Sequence, residues 1–241
     1  EWCQRGAVLV AALPLPQPLV VRLHSFEAFT VFPHLVDPSR VAALVTVSPA
    51  FAGLVSALVP ALAPVTQVIP NALDPAPFRR PKTAGAERVV GLLGWGAPAK
   101  DAVWGLDVLA ALRRQDPQWR MHLVGPPPDR LTAGSRDYDD QVRRRLAQAD
   151  LAGAVTLIGE VSDMAETLRS IGAVVSSSTR ESFHLAIAEA AASGAVVAVR
   201  DWPTLAPYGG PRGVWPDSCI VQTPQEAADL LGLRLRIEQL P

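Results

Sequence analysis

Cysteine occurs only twice in 241 residues, at Cys3 and Cys219, far apart and outside any C-x-x-C pattern. That excludes a disulfide framework and a cysteine-built structural zinc, and it suits a reducing, cytoplasmic setting. No run of 18 apolar residues is available to cross a bilayer. Neither sign of charge dominates: 22 basic residues stand against 23 acidic ones, so the footprint of a nucleic-acid partner or an anionic membrane surface is missing. The run Arg143 to Arg145 reads as a solvated helix face. His34, His122 and His184 have no paired ligand spacing, which predicts no protein-held metal, and Ser176 to Ser178 lack the G-x-S-x-G elbow of a hydrolase. The first residues show no charged n-region followed by an apolar h-region, so no signal peptide is expected. A start at Glu1 without Met reads as a cut or processed chain.

Apolar residues supply 49% of the chain, too many for a disordered segment, and the length suits one large domain or two smaller ones at about 100–200 residues each. Short β-branched runs alternate with longer amphipathic stretches, the pattern of a parallel sheet covered by helices. Strands are predicted near 19–24, 42–47, 65–69, 88–93, 119–124, 155–158, 173–177, 196–199 and 219–222. Helices are predicted near 49–59, 102–115, 137–149, 163–170, 183–193 and 224–232, the third opening on Asp137, Asp139 and Asp140 and closing on Arg143 to Arg145, a polarity that suits the helix dipole. A stretch with four prolines and no apolar periodicity, IPNALDPAPFRRPKTAGAE, separates the third and fourth strands and reads as a linker. The division expected is 1–78 as the later part of a domain whose opening strands are absent, 79–87 as linker, and 88–241 as a complete doubly wound α/β domain.

Two segments carry chemistry. In STRESFHLAIAEAAASG at 178–194 a polar loop enters a helix, with Glu181 and Glu189 in an E-x7-E spacing. Ser182 or Glu181 would serve as N-cap, Gly194 as the residue that ends the helix, and the N–H groups of Phe183, His184 and Leu185 would form an anion site. At a rise of about 1.5 Å per residue the two carboxylates would stand roughly 12 Å apart. One could meet a sugar and the other a ribose hydroxyl; the alternative is a capping acid and a solvated helix residue. In the second segment, GLLGWGAPAKD, Gly94 and Gly96 follow a strand, Asp101 is the expected cap of the next helix, and Lys100 could share a phosphate with that helix's N–H groups or be a solvated loop lysine. The same loop spells a weak dinucleotide fingerprint, G-x-G-x-x-A, but the acid about 20 residues on, Asp116, precedes its strand instead of ending it. His24, Gly125 and Gly159 stand at strand C-termini, where open α/β sheets bind ligands and where structural histidines and turn glycines also occur.

In order, the segments LVVRLHSFE, LVTVSPAF, VIPNALD, GLLGWGAPAKD, MHLVG, LIGEVSDM and SSSTRESFHLAIAEAAASG resemble the retaining, nucleotide-sugar-dependent glycosyltransferases of the GT-B fold, group 1, family 4-like. The resemblance implies two Rossmann-like domains, the first partial here and the second complete and holding the nucleotide sugar. By that resemblance Glu189 looks like the ribose-binding acid, Glu181 like the acid near the donor sugar, and Lys100 like the diphosphate lysine. Ser182 and the Phe183 to Leu185 backbone, including His184, would meet phosphates and sugar. Gly94 and Trp95 would line the phosphate loop, Gly125 and the Glu160 to Val161 backbone would surround the base, and His24 would reach toward the transferred sugar. Two residues depart from the family: Trp95 stands where an arginine is usual, and Ala72 where a turn glycine is usual.

The expectation is therefore a glycosyltransferase that moves a sugar from a nucleoside diphosphate to an acceptor with retention, with no metal or further cofactor and with His24, Lys100 and Glu181 at the reacting centre. The acceptor, whether glycan, lipid or small molecule, is not legible; contact with a membrane periphery would fall to the missing N-terminal part. The rival readings are an inactive nucleotide-sugar-binding module and a nucleotide-sugar epimerase of the same architecture.

Overall fold

The computed structural model describes residues 17–238; Cys3 and the rest of the first 16 residues of the expected 1–78 segment lie outside them. The chain forms two compact units. Unit 1 comprises residues up to Ala72 together with Arg180–Phe183 and Trp202–Pro216; unit 2 comprises Leu73–Thr179, His184–Asp201 and the residues from Asp217 onward.

Unit 1 is a three-stranded parallel sheet, β1 (Leu19–Arg22), β2 (Val41–Thr46) and β3 (Thr66–Val68), in the order β1-β2-β3. A short helix α1 (Ser25–Ala28) follows β1, and α2 (Pro49–Leu58) follows β2. The start of α2 is written locally: the Ser48 side chain accepts the Phe51 N–H at 3.3 Å, and Pro49 occupies the first turn, where its missing N–H costs nothing. Ala50, Phe51, Leu54 and Val55 form its buried face. Residues far along the chain complete this packing. Tyr208 lies so close to Gly53 that a Cβ there would stand 3.2 Å from its ring, and Trp215 Nε1 donates to the Phe183 carbonyl at 3.3 Å.

Unit 2 holds six parallel strands, β4 (Val89–Leu93), β5 (Arg120–Val124), β6 (Val155–Gly159), β7 (Ala173–Ser176), β8 (Val196–Arg200) and β9 (Ile220–Val221), in the order β6-β5-β4-β7-β8-β9. Chain order runs outward in both directions from the β4/β7 pair, which makes that pair the switch point of a doubly wound sheet. Helices α3 (Ala102–Gln115), α4 (Ala133–Leu146), α5 (Met164–Thr167), α6 (Leu185–Ala192) and α7 (Pro224–Glu238) surround it. Val90 and Leu92 of β4 enter one core with Leu106, Leu109 and Leu112 of α3, Val142 of α4, and Ala227, Ala228 and Leu231 of α7. All nine expected strands form.

Several local expectations need correction. Helix α4 begins at Ala133, not near Asp137, because Thr132 and Ser135 cap it reciprocally: Thr132 Oγ1 accepts the Ser135 N–H at 3.1 Å and Ser135 Oγ accepts the Thr132 N–H at 3.0 Å. Its acids therefore lie mid-helix, where buried Asp139 accepts from Arg143 at 2.8 Å and from Arg130. Arg145 is not solvated; it is buried between Asp107 at 2.6 Å and Asp150 at 3.0 Å. The expected linker at 79–87 is fastened to unit 2. Arg80 bonds Asp163 and Glu166, each at 3.2 Å, and Lys82 Nζ donates to the Leu168 and Ile171 carbonyls at 2.8 and 2.7 Å and to Ser193 Oγ at 2.9 Å. Arg80 finds carboxylates and Lys82 finds carbonyls around short helices of unit 2, so a stretch without periodicity is nonetheless held.

Candidate functional site

Where β6, β5 and β4 end side by side, each turns on a glycine in the left-handed region: Gly159 (φ +77), Gly125 (φ +108) and Gly94 (φ +72). The turns are stitched into a row, Gly94 N–H to the Val124 carbonyl at 2.8 Å and Gly125 N–H to the Gly159 carbonyl at 2.7 Å. A groove of about 440 Å³ opens beside them, lined by Gly94, Gly96, Ala97, Pro98, Lys100, Pro126, Pro127 and Asp129. Gly96 is required by close approach: a Cβ there would sit 2.7 Å from the Pro126 carbonyl oxygen. Lys100 crosses the mouth of this turn, its Cε 3.7 Å from where a Gly94 Cβ would stand. Glu160 is exposed and Val161 half-buried just past Gly159.

Trp95, expected among the donor-binding residues, has its ring in the core instead. It is buried, packs within the cluster built on α3, and donates Nε1–H to the Gly125 carbonyl at 3.2 Å. Its own carbonyl accepts from Tyr138 Oη at 2.9 Å, and the same hydroxyl accepts the Ala102 N–H at 2.9 Å. Burial pushes the Tyr138 phenol up to about 12, so it stays a neutral donor across the physiological range. The indole thus ties the glycine turn after β4 to the one after β5.

Asp101 caps α3 as expected, its Oδ1 accepting the Trp104 N–H at 3.3 Å, although it does so in the left-handed region at φ +42. Helix α6 follows β7 across the switch point and differs from expectation. It begins at Leu185 with His184 as N-cap at φ +68, not at Ser182 or Glu181, and no side chain caps it. His184 is buried and its Nδ1 lies 2.7 Å from Ser176 Oγ, which draws the ring away from the helix end. Glu181 stands before the helix in a loop, so the 12 Å helical estimate for the E-x7-E pair does not apply. Glu189 lies within α6, half-buried, and burial raises its carboxyl above the usual glutamate range, unlike a solvated helix acid. Gly194 does end the helix, at φ +78.

Unit 2 therefore brings together Gly94, Lys100, Gly125, Glu160, Val161, His184, Leu185 and Glu189 on one polypeptide unit, while His24, Glu181, Ser182 and Phe183 belong to unit 1. His24 stands two residues past β1 as the N-cap of α1, its N–H donating to Glu27 Oε2 at 2.9 Å. Sequence reasoning missed Pro126, Pro127 and Asp129, whose signal was a P-P-P-D run directly after a strand-end glycine. It also missed Arg200, the last residue of β8.

A family model described as glycosyl transferases group 1 matches residues 87–230, more than half of the chain. The chain belongs to the group 1 glycosyltransferases. The fold is that of GT-B enzymes. It is similar to Anabaena HepE in complex with UDP and glucose, at a TM-score of 0.76 and 22% identity over 98% of this chain and 67% of that one. It is also similar to a variant of S. aureus TarM in complex with fondaparinux, alpha-GlcNAc-glycerol and UDP, at 0.69 and 15% over 91% of this chain and 44% of that one. The C-terminal domain of a Francisella tularensis group 1 protein, LpcC, matches at 0.52 and 20% over 68% of this chain and 91% of that domain. No curated protein matches the chain in sequence. Among the described residues no helix is long and apolar enough to cross a membrane, and no cluster of three or more His, Cys, Asp or Glu could hold a metal ion.

Proposed function

We propose that this chain carries the donor site of a glycosyltransferase that takes a sugar from a nucleoside diphosphate and transfers it with retention. The observation that carries the reading is the switch point of unit 2. The Lys100 loop after β4 and the uncapped N-terminus of α6 after β7 flank the position where a doubly wound sheet receives its ligand. The uridine nucleotides bound to HepE and TarM support UDP as the leaving group. In this reading the Gly125 turn and the Glu160 to Val161 backbone receive the base, and Glu189 accepts from the ribose hydroxyls. The charge that develops on the departing diphosphate is met by the Lys100 ammonium and the first N–H groups of α6. The family resemblance would give Glu181 and His24 roles at the transferred sugar.

A thermal-shift screen across nucleoside diphosphates and their sugars tests the reading, since a ligand at 100 times its dissociation constant adds about 2.7 kcal/mol to stability. A shift with a diphosphate and none with its nucleoside is expected. Proton NMR of a donor and acceptor mixture then reads the anomeric outcome. The buried ring at Trp95 in place of a second cation favours one rival, a nucleotide-binding module without turnover; binding with no product in that experiment would establish it.

A further inference from the structure

Arg200, at the C-terminal end of β8, reaches across β7 to the loop that bears Lys100. Its Nη1 donates to Asp101 Oδ2 at 2.6 Å and to the Ser177 carbonyl at 3.0 Å, and its guanidinium lies 5.0 Å from the centroid of the Trp104 ring. Around this point the Lys100 loop is tied down on three successive residues. The Thr179 N–H donates to the Ala99 carbonyl at 2.8 Å, Ser177 Oγ donates to the Lys100 carbonyl, and the Asp101 carboxylate is divided between the Trp104 N–H and Arg200. Asp101 is also one of two non-glycine residues in the left-handed region among those described, a conformation that persists where surroundings over-determine it. Between Gly96 and Lys100 the loop has only Ala97, Pro98 and Ala99, none of which offers a side-chain hydrogen bond to fix a long neighbour.

We infer that Arg200 is a positioning residue for the donor site: by holding the Asp101 carboxylate and the Ser177 carbonyl together, it sets the backbone from which Lys100 reaches the diphosphate. This rests on the functional reading above. The guanidinium suits the task because it offers several donors in a fixed plane and stacks on an indole, whereas an ammonium is a single mobile point charge. Fixing a cation before the ligand arrives removes ordering cost from binding, so the effect should appear in diphosphate affinity and not in recognition of the nucleoside.

The test is calorimetric titration of the full chain with UDP and GDP, and with uridine and guanosine as controls. Arg200→Lys is expected to weaken diphosphate binding about tenfold and leave the nucleoside unchanged, and in a Lys100→Ala background to cause no further loss. Asp101→Asn, which keeps the cap but not the charge, should reproduce that pattern and is read in its place if Arg200→Lys unfolds. Equal losses for diphosphate and nucleoside, or an undiminished loss in the Lys100→Ala background, would show Arg200 to be merely structural and overturn the inference. If Lys100→Ala weakens UDP binding while Arg200→Lys does not, the inference falls alone. If wild type binds neither diphosphate, the functional reading falls and takes the inference with it.

Discussion

Helices α3 and α6 both start at the C-terminal edge of one sheet, after the neighbouring strands β4 and β7, and both start on a non-glycine residue in the left-handed region. There the likeness stops. Asp101 turns its carboxylate back onto α3 and closes that end with a side-chain cap, whereas the His184 ring is drawn to Ser176 and leaves α6 uncapped. A capped end is spoken for; an uncapped one presents N–H groups and the positive end of the helix dipole to an anion. In the proposed donor site the two sides of the switch point would then contribute differently, the α3 side through the Lys100 side chain and the α6 side through backbone.

The largest effect is expected from breaking the α3 side at its root. Trp95→Arg, which would restore the family's usual cation, puts a charge into a buried site that hydrogen-bonds Gly125, and should destabilise unit 2 by about 4 kcal/mol in urea unfolding instead of tightening diphosphate binding. Tighter binding with an unchanged midpoint would show the indole to be expendable. Asp101→Ala comes next: it loses the cap, leaves Arg200 without its carboxylate and keeps an unfavourable φ, for a loss of about 3 kcal/mol in the same assay. Lys100→Ala should spare stability but weaken diphosphate binding by about 1.5–3 kcal/mol, or about 10 to 150 fold.

On the α6 side the backbone is the point, and the order of two variants exposes it. His184→Gly relieves the left-handed strain that His184→Ala retains, while both lose the Ser176 partner, so the glycine variant should be the more stable by about 1 kcal/mol. The reverse order would mean that the ring, not the turn, decides the start of α6. The smallest effect concerns Glu189. Its folded carboxyl is raised by burial, so the contribution it makes to stability is present below the usual glutamate range and is lost as pH rises through the raised value. Urea midpoints of wild type and Glu189→Gln should therefore diverge in favour of the variant as pH rises from about 4 to about 7. If Glu189 meets the ribose, the same variant should bind UDP at least about tenfold more weakly.

The central strands β4, β7 and β8 were readable because they are short apolar runs buried almost throughout, where the sheet demands little beyond hydrophobicity. Helix starts were less so. Thr132 with Ser135 outcompeted a more obvious run of acids as the start of α4, and the E-x7-E spacing suggested a helix that begins two residues too early because His184 in a left-handed conformation leaves no mark in the sequence. Burial reversed two readings made from residue type: Trp95 was available on paper to a ligand, and Arg145 looked like part of a solvated face.

By itself the sequence determined what is local and periodic: nine strands, the order in which helices separate them, the glycines at strand ends, and the E-x7-E and Lys100 segments that mark the family. Only the tertiary structure decided what depends on pairs distant along the chain. Arg200 meets Asp101 across 99 residues, the stretch around Lys82 is anchored by carbonyls more than 80 residues away, and Trp202–Pro216 belongs to unit 1 although the strands that flank it in the chain belong to unit 2. Residue types and spacings encode local propensity and burial, but which charge finds which partner is fixed only when the sheet sets both ends at once.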